Sequence, residues 1–305
     1  MAALFHFGVA KGEVMNLRAI LMGLAFAFMW SSAFTSARVI VQYAPPMASL
    51  SLRFFISGLI GVAIALALGQ RFNLTRAQWR ATIIFGICQN ALYLGLNFVA
   101  MQWVEAGLAS IIASTMPLIV ALLGWLFLGD RLRPMAFIGL ILGIVGVALI
   151  MGGRLSGGLD WTGIALCIVG AFALAIATLS VRGASSGGNV MMIVGLQMFV
   201  GSACLAVVSG LTEEMHLTLN WQLVVAFVYT TAVPGLLATW VWFTLVNQIG
   251  AVKAATFHFL NPFFGVLVAA VVLGEKMGAW DVIGVAIVAA GILAVQLSKQ
   301  KPPAA

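Results

Sequence analysis

The chain alternates between long apolar runs and short polar breaks from residue 17 almost to its C-terminus. Each run has about 20 residues, which at 1.5 Å of rise per residue lets a helix cross about 30 Å of hydrocarbon. The pattern therefore predicts ten membrane-spanning helices. Their expected bounds are 17–41, 47–69, 81–101, 106–128, 134–152, 162–182, 190–210, 222–246, 252–273 and 279–297.

Composition supports a chain that is surrounded by lipid. Of the 305 residues, 63% are hydrophobic and only 8% are charged, and the mean hydropathy is +1.14. A soluble domain carries about 25% charged residues, so this chain cannot cover its surface with polar groups. A transmembrane β-barrel would instead show alternating segments of about ten residues. The predicted fold class is an all-α membrane protein.

The second half of the chain repeats the first. Residues 106–151 align without a gap with residues 251–296, so that Pro117 meets Pro262 and Gly129 meets Gly274. This duplication predicts two five-helix repeats, and an odd number of spans per repeat inverts the second against the first. Inverted repeats are typical of secondary transporters, which bind substrate near the membrane midplane. The expected domains are a cytoplasmic N-terminal segment 1–16, a first repeat 17–152, a periplasmic linker 153–161, a second inverted repeat 162–297 and a cytoplasmic tail 298–305.

Loop charges predict the orientation of the chain. With the N-terminus in the cytoplasm, 11 of the 15 Lys and Arg residues lie on the cytoplasmic side, as the positive-inside rule requires. Ten spans then place both termini in the cytoplasm. The net charge of +7 is thus explained by the orientation of the chain in the membrane and does not indicate a nucleic-acid partner. Arg38 and Arg53 are expected to extend to the outer interface, with attraction of a substrate carboxylate as the alternative for Arg38.

Two prolines are expected to kink their helices. Because proline has no N–H, Pro117 and Pro262 release the carbonyl groups of Ala113 and His258 from helical hydrogen bonding. An unpaired carbonyl is costly in lipid, so irregular backbone is kept where it faces protein or a wet cavity. We predict that both kinks shape a cavity, with a simple packing kink as the alternative.

Polar and aromatic side chains inside the spans are the candidate substrate-binding residues. His258 is the only histidine inside a predicted span, and an ionisable group at membrane depth indicates a functional site by default. Asn261 lies three residues further, on the same helix face. The other candidates are Trp30, Ser31, Asn90, Tyr93, Asn97, Ser114, Trp240 and Phe243. The alternatives are a histidine satisfied by a neighbouring helix, hydroxyls that only link helices, and ordinary aromatic packing.

Several chemistries are disfavoured by what the spans lack. All eight acidic residues lie in expected loops or span ends, so no midplane carboxylate offers a proton relay, and His258 is the remaining titratable candidate. No metal site or cofactor is predicted, because the three cysteines have no CxxC spacing. Without a recognisable catalytic motif an enzyme is not expected. Without a phosphate-binding loop, transport would be secondary or facilitated.

Particular segments carry a resemblance to a known family. They are Trp30-Ser31-Ser32-Ala33-Phe34, the stretch from Pro46 to Phe55, the stretch from Leu92 to Phe98, and the paired Pro…Leu-Gly-Asp/Glu segments. The chain resembles the drug/metabolite transporter superfamily in its ten-helix EamA-type form, and most closely the YddG-type exporters of aromatic and other neutral amino acids. The resemblance implies export across a bacterial inner (plasma) membrane through a cavity between the halves. Many members carry an acidic residue where this chain has Asn261, which argues against carboxylate-based proton coupling.

The predicted function is a secondary or facilitative transporter that exports small neutral metabolites, most of all amino acids, by alternating access. Its partners would be the substrate and the lipid bilayer, and both a monomer and a homodimer remain open. The alternatives are a carrier of another metabolite or drug in the same superfamily, and a passive channel. A nucleotide-sugar or sugar-phosphate carrier would need several cationic side chains in its cavity. Glycine rows such as Gly139, Gly143 and Gly146 predict close helix packing, in the scaffold or at a dimer face.

Overall fold

Ten helices in the described part of the chain are long and apolar enough to cross a membrane. The computed structural model describes residues 17–154, 160–180 and 188–298, without the side chains of residues 153, 154, 243, 247, 251 and 252. The terminal segments and most of the expected linker 153–161 lie outside these residues. The helices are α1 Leu17–Ile40, α2 Pro46–Ala67, α3 Arg76–Ala100, α4 Ala106–Leu128, α5 Pro134–Gly152, α6 Trp161–Ser180, α7 Val190–Thr212, α8 Trp221–Val246, α9 Lys253–Leu273 and α10 Ala279–Ser298.

The predicted all-α fold class is confirmed, and most helix ends lie within a few residues of their expected positions. The largest difference is at α3, which begins at Arg76 rather than at residue 81. Thr75 caps this helix with a reciprocal pair of hydrogen bonds: its Oγ1 accepts from the Gln78 N–H, and Gln78 Oε1 accepts from the Thr75 N–H. This capping box stabilises a polar first turn that the apolar pattern does not include.

Four of the helices depart from regular α geometry, in two matching pairs. A π-helical segment covers Gly86–Leu94 in α3, and another covers Thr231–Leu237 in α8. α4 is interrupted at Thr115, whereas α9 contains a 3₁₀ turn at Phe257–Leu260. The interruptions of α4 and α9 come just before Pro117 and Pro262. Each proline takes the second position of the helix that resumes, where a missing N–H costs little.

The end caps of the broken helices also match. Gly129 ends α4 and Gly274 ends α9, both in the left-handed conformation, with φ of 68° and 70°. Glycine adopts this conformation without the steric cost that a side chain brings. The matching caps and interruptions agree with the duplication, whereas the inversion of the second half stays a prediction.

Equivalent helices of the two halves pack against each other, α2 on α7 and α5 on α10. The second pair meets through its glycines. A Cβ atom added at Gly291 would lie 2.6 Å from the carbonyl oxygen of Gly139, and one added at Gly284 would lie 2.8 Å from that of Gly146. These glycines of α5 therefore make a close contact inside the chain.

The two ends of the bundle can be named from the chain itself. With ten spans, the start of α1 and the end of α10 lie on one side, here called the terminal side, and the opposite side is the far side. On the far side, two carboxylates of the second half cap helices of the first. Glu213 accepts hydrogen bonds from the N–H groups of Met47 and Ala48 at 2.8 and 2.9 Å. Glu275 accepts from the first two N–H groups of α4, at 2.7 and 2.9 Å.

Arg38 also belongs to the far side. Its side chain is only partly exposed, and its guanidinium donates a hydrogen bond to the backbone carbonyl of Met101 at the end of α3. Instead of extending freely to the interface, as expected from the sequence, it links α1 to α3. The contacts on the far side are thus of two kinds. The guanidinium of Arg38 binds a carbonyl group, and the carboxylates of Glu213 and Glu275 bind helix N-termini, where the helix dipole favours negative charge.

Candidate functional site

A cavity of about 640 Å³ lies at the centre of the bundle. Side chains from all the helices except α5 line it. Its lining reaches Thr178 and Gln296 in the last turns of α6 and α10, so the cavity extends from mid-bundle toward the terminal side. A smaller space of about 50 Å³ shares Trp30, Phe34 and Tyr93 with it and continues toward the far side as far as Met101. The volume is in the range of small-molecule sites, about 300–1,000 Å³.

Aromatic rings form much of the cavity wall. The rings of Phe26 and Trp242 lie 4.7 Å apart between centroids, and those of Phe26 and Trp30 lie 5.7 Å apart, both tilted. Such separations are favourable for aromatic pairs. The seven aromatic residues of the lining are Phe26, Trp30, Phe34, Phe54, Phe85, Tyr93 and Trp242.

His258 and Asn261 form a polar pair on this wall. Nδ2 of Asn261 lies 3.0 Å from Nδ1 of His258, and the imidazole packs against Phe26 and Trp242 with centroid separations of 5.4 and 5.2 Å. The Oδ1 atom of Asn261 is buried and accepts no hydrogen bond from any described residue. His258 lies in the 3₁₀ turn of α9 and Asn261 directly follows it; residues three apart share a face there, and both side chains line the cavity.

The π-helical segment of α3 supplies a second polar face. It places Gln89, Asn90 and Tyr93 together in the lining. Asn90 is held in position by a hydrogen bond of 2.9 Å from its Nδ2 to the carbonyl oxygen of Gln197 in α7. π-Helical insertions occur often at functional sites, where the extra residue per turn redirects side chains.

The structure brings most of the predicted binding residues to one cavity. Trp30, Asn90, Tyr93, Ser114, His258 and Asn261 line the main space, together with Pro117, and Asn97 lines the smaller one. Ser31 is fully buried behind the wall, where its Oγ donates to the backbone carbonyl of Asn261. Pro262 is buried but is not part of the lining. Contact between these residues and a substrate stays a prediction.

Two predicted residues of α8 need separate comment. Trp240 is 60% exposed and does not belong to the described lining, so its predicted place in the wall is wrong. Trp242 lies two residues further, about 200° around the helix, and faces the cavity instead. The side chain of Phe243 lies outside the described residues.

Arg53 is the main correction to the sequence interpretation. It was expected to extend to the outer interface, but its side chain is only 7% exposed and lines both spaces. Its depth, about 10 Å below the start of α2, follows from the sequence. The sequence does not show which face of α2 carries it. Other lining residues that the sequence did not single out are Phe26, Thr178, Gln197, Trp242 and Gln296.

Ten apolar helices around a central aromatic cavity are the architecture of a membrane transporter, and the comparisons agree. The EamA-like transporter family matches residues 17–152 and 161–297. The chain belongs to this family, whose two matches nearly coincide with the expected halves.

Relatives extend over almost the whole chain. It is 27% identical to "Uncharacterized transporter YvbV" of Bacillus subtilis (strain 168), over 92% of this chain and 93% of the relative. It is 26% identical to "Uncharacterized inner membrane transporter YedA" of Escherichia coli (strain K12), over 93% of each chain. It is 24% identical to "WAT1-related protein At3g02690, chloroplastic" of Arabidopsis thaliana, over 88% of this chain and 67% of the relative. None of these names states a substrate.

A solved crystal structure has the same fold. It superposes with a TM-score of 0.68 over 93% of this chain and 98% of its own, at 21% sequence identity. The comparison supports the helical architecture alone.

Proposed function

We propose that this protein is a secondary transporter that exports small neutral metabolites, aromatic and other neutral amino acids first, by alternating access across a bacterial inner membrane. The observation that carries the proposal is the central cavity between the halves, with seven aromatic rings and a few uncharged polar groups in its wall. Apolar walls with a few placed polar groups are typical of small-molecule sites. An aromatic side chain would stack on Trp30 and Trp242, and the polar groups would orient the rest.

The charge of the lining favours this substrate class over phosphorylated ones. Among the described lining residues, Arg53 is the one permanently charged side chain. A sugar phosphate or nucleotide sugar carries two or more negative charges and would need several cationic partners. A zwitterionic amino acid requires far less compensation.

In this proposal the observed conformation is one end of the transport cycle. We place the terminal side in the cytoplasm, because most basic loop residues lie there. The main cavity then reaches toward the cytoplasm, while Glu213, Glu275 and Arg38 link helices on the periplasmic side. Opening of that side would require these contacts to break, and rocking of the halves would expose the same cavity outward.

Counterflow in proteoliposomes tests the proposal. Vesicles that contain the full-length protein are preloaded with unlabelled L-phenylalanine and then diluted into labelled L-phenylalanine. A carrier exchanges the two, so preloading should accelerate uptake of label, whereas a passive channel shows no acceleration. Equal uptake with and without preloading would contradict the carrier mechanism. A panel of unlabelled neutral amino acids, added as competitors, then ranks the substrates.

Reporter fusions test the orientation. Green fluorescent protein fused to the C-terminus should fluoresce in a bacterial host, and alkaline phosphatase fused at the same site should stay inactive. An active phosphatase would place the C-terminus in the periplasm and reverse the assignment of the two sides.

A further inference from the structure

Arg53 is a buried cation that pairs with no described residue. Its side chain is 7% exposed, its Nε atom is buried, and neither a hydrogen bond nor an ion pair links the guanidinium to any described residue. Among the described residues, the guanidinium has a favourable contact with the neighbouring ring of Phe54, 5.4 Å from the guanidinium carbon to the ring centre. A contact of this kind compensates only part of the cost of burying a charge.

The cavity offers this cation no counter-charge. None of its described lining residues is an aspartate or a glutamate. The carboxylates of Glu213 and Glu275 are occupied on backbone N–H groups at the far side. Buried charges in proteins are usually paired, and no described residue pairs with Arg53, so the cavity that it lines is where a counter-charge would bind.

A hydroxyl group accompanies the guanidinium. Ser57 lies four residues further along α2, on the same face, and its buried Oγ has no hydrogen-bonding partner among the described residues. Both groups are near Gly235 in the π-helical segment of α8. A Cβ atom at this glycine would lie 3.4 Å from Nη2 of Arg53 and 3.9 Å from Oγ of Ser57. Ser57 is not among the described lining residues, so of the two groups it is the guanidinium that faces the cavity.

We propose that Arg53 binds the carboxylate of the transported substrate. The inference rests on the proposed function and narrows its substrate class to small monocarboxylates with an apolar or aromatic body. A guanidinium presents two parallel N–H donors that match a carboxylate. The described lining residues include no carboxylate that would pair with an ammonium group. The carboxylate of an amino acid is therefore essential for binding, and its ammonium group is dispensable.

Three probes that share one phenylethyl body test this distinction. L-Phenylalanine carries both charged groups, 3-phenylpropanoate only the carboxylate, and 2-phenylethylamine only the ammonium. Their binding to the purified full-length protein is measured by isothermal titration calorimetry, which does not depend on transport. The wild-type protein should bind both carboxylates at least roughly tenfold more tightly than the amine, as expected for a charge-assisted hydrogen bond. If the amine binds as tightly, or if none of the probes binds, the inference is overturned.

Substitutions then assign the effect to named side chains. Arg53→Gln should weaken binding of both carboxylates roughly 10- to 100-fold and leave the amine nearly unchanged. Ser57→Ala, one turn away on α2 and outside the described lining, should change their binding less than Arg53→Gln does. Arg53→Lys keeps the charge but loses the two parallel N–H donors of the guanidinium, so it should retain part of the affinity. Arg80→Gln, at an exposed position near the start of α3, is the matched control. Wild-type affinity for 3-phenylpropanoate in Arg53→Gln would overturn the inference.

The failure of this inference and that of the proposed function look different. If the three probes bind as expected but counterflow is absent, the transport mechanism is wrong and the carboxylate site stands. If counterflow of phenylalanine is intact in Arg53→Gln and its affinity is unchanged, the transporter stands and the carboxylate site is wrong.

Discussion

The hydroxyl of Ser31 donates a hydrogen bond of 3.1 Å to the backbone carbonyl oxygen of Asn261. Ser31 is fully buried in α1, and Asn261 is the residue at which α9 resumes after its 3₁₀ turn. One side chain of the first half thus holds the interrupted helix of the second half at its point of interruption. It fixes the backbone from which His258 and Asn261 reach the cavity.

Loss of this hydrogen bond should disturb the site more than the fold. Ser31→Ala should lower the free energy of unfolding by about 0.5–1.5 kcal/mol and weaken substrate binding, because the α9 turn is less well held. Thermal unfolding and transport KM of the purified protein measure the two effects. Ser32→Ala is the neighbouring control, since its Oγ lies 2.7 Å from the Tyr229 hydroxyl and does not contact α9. Equal KM changes in both variants would argue against a specific role of Ser31.

His258 and Asn261 should be required for transport. Removal of either side chain deletes a polar group from the cavity wall and leaves its hydrogen-bonding partner unpaired. His258→Ala and Asn261→Ala should each lower kcat/KM by about tenfold or more, which corresponds to the loss of one buried hydrogen bond. Initial rates of uptake into proteoliposomes provide the measurement. If both variants transport at the wild-type level, the assignment of the site is wrong.

Two tryptophans of α8 form a matched pair for testing the aromatic wall. Trp242 lines the cavity, whereas Trp240 is 60% exposed on another face of the same helix. Trp242→Leu should raise KM for an aromatic amino acid by about tenfold, because an aromatic stacking partner is lost. Trp240→Leu should keep a KM near the wild-type value. The reverse order of effects would show that the site lies elsewhere.

The far-side carboxylates should control which side of the cavity is accessible. Glu275→Gln keeps an acceptor for the first turn of α4 but removes the negative charge that its helix dipole favours. We expect this change to raise the population that is open on the far side. The rate at which an impermeant maleimide labels Ala37→Cys, in the smaller space, reports this opening in a background without the native cysteines. Glu214→Gln, at an exposed position, is the control, and an unchanged labelling rate in Glu275→Gln would contradict the role of the charge.

The sequence predicted the number of helices and the duplication, because apolar length and self-similarity are written along the chain. It also predicted that Pro117 and Pro262 accompany irregular backbone. It did not predict the π-helical segments, since π- and α-helices have the same composition and differ only in hydrogen-bonding register. It also does not show which face of α8 points inward, so it predicts Trp240 as a binding residue, whereas Trp242 lines the cavity.

Arg53 is a second residue whose facing direction the sequence does not give. A sequence gives the depth of a charged residue in a span, and at that depth an arginine on a lipid-facing surface would extend to the interface. Only the packing of α2 beside α7 and α8 shows that its side chain points into the bundle. An almost uniformly apolar helix shows little periodicity, so its sequence does not indicate which face points into the bundle. The tertiary contacts are needed to identify that face.

The glycine contact between α5 and α10 has a mechanical consequence. Each of these helices is the last of its half, and side chains of one fit against glycines of the other, Val295 against Gly139 and Ile150 against Gly284. Interdigitated side chains must separate before two helices can move past each other. We therefore expect α5 and α10 to keep their contact during transport, so that the relative motion of the halves takes place at the other helices. A larger residue at Gly139 or Gly291, where an added Cβ atom would lie 2.6 Å from a carbonyl oxygen of the other helix, would push the two helices apart and destabilise the fold.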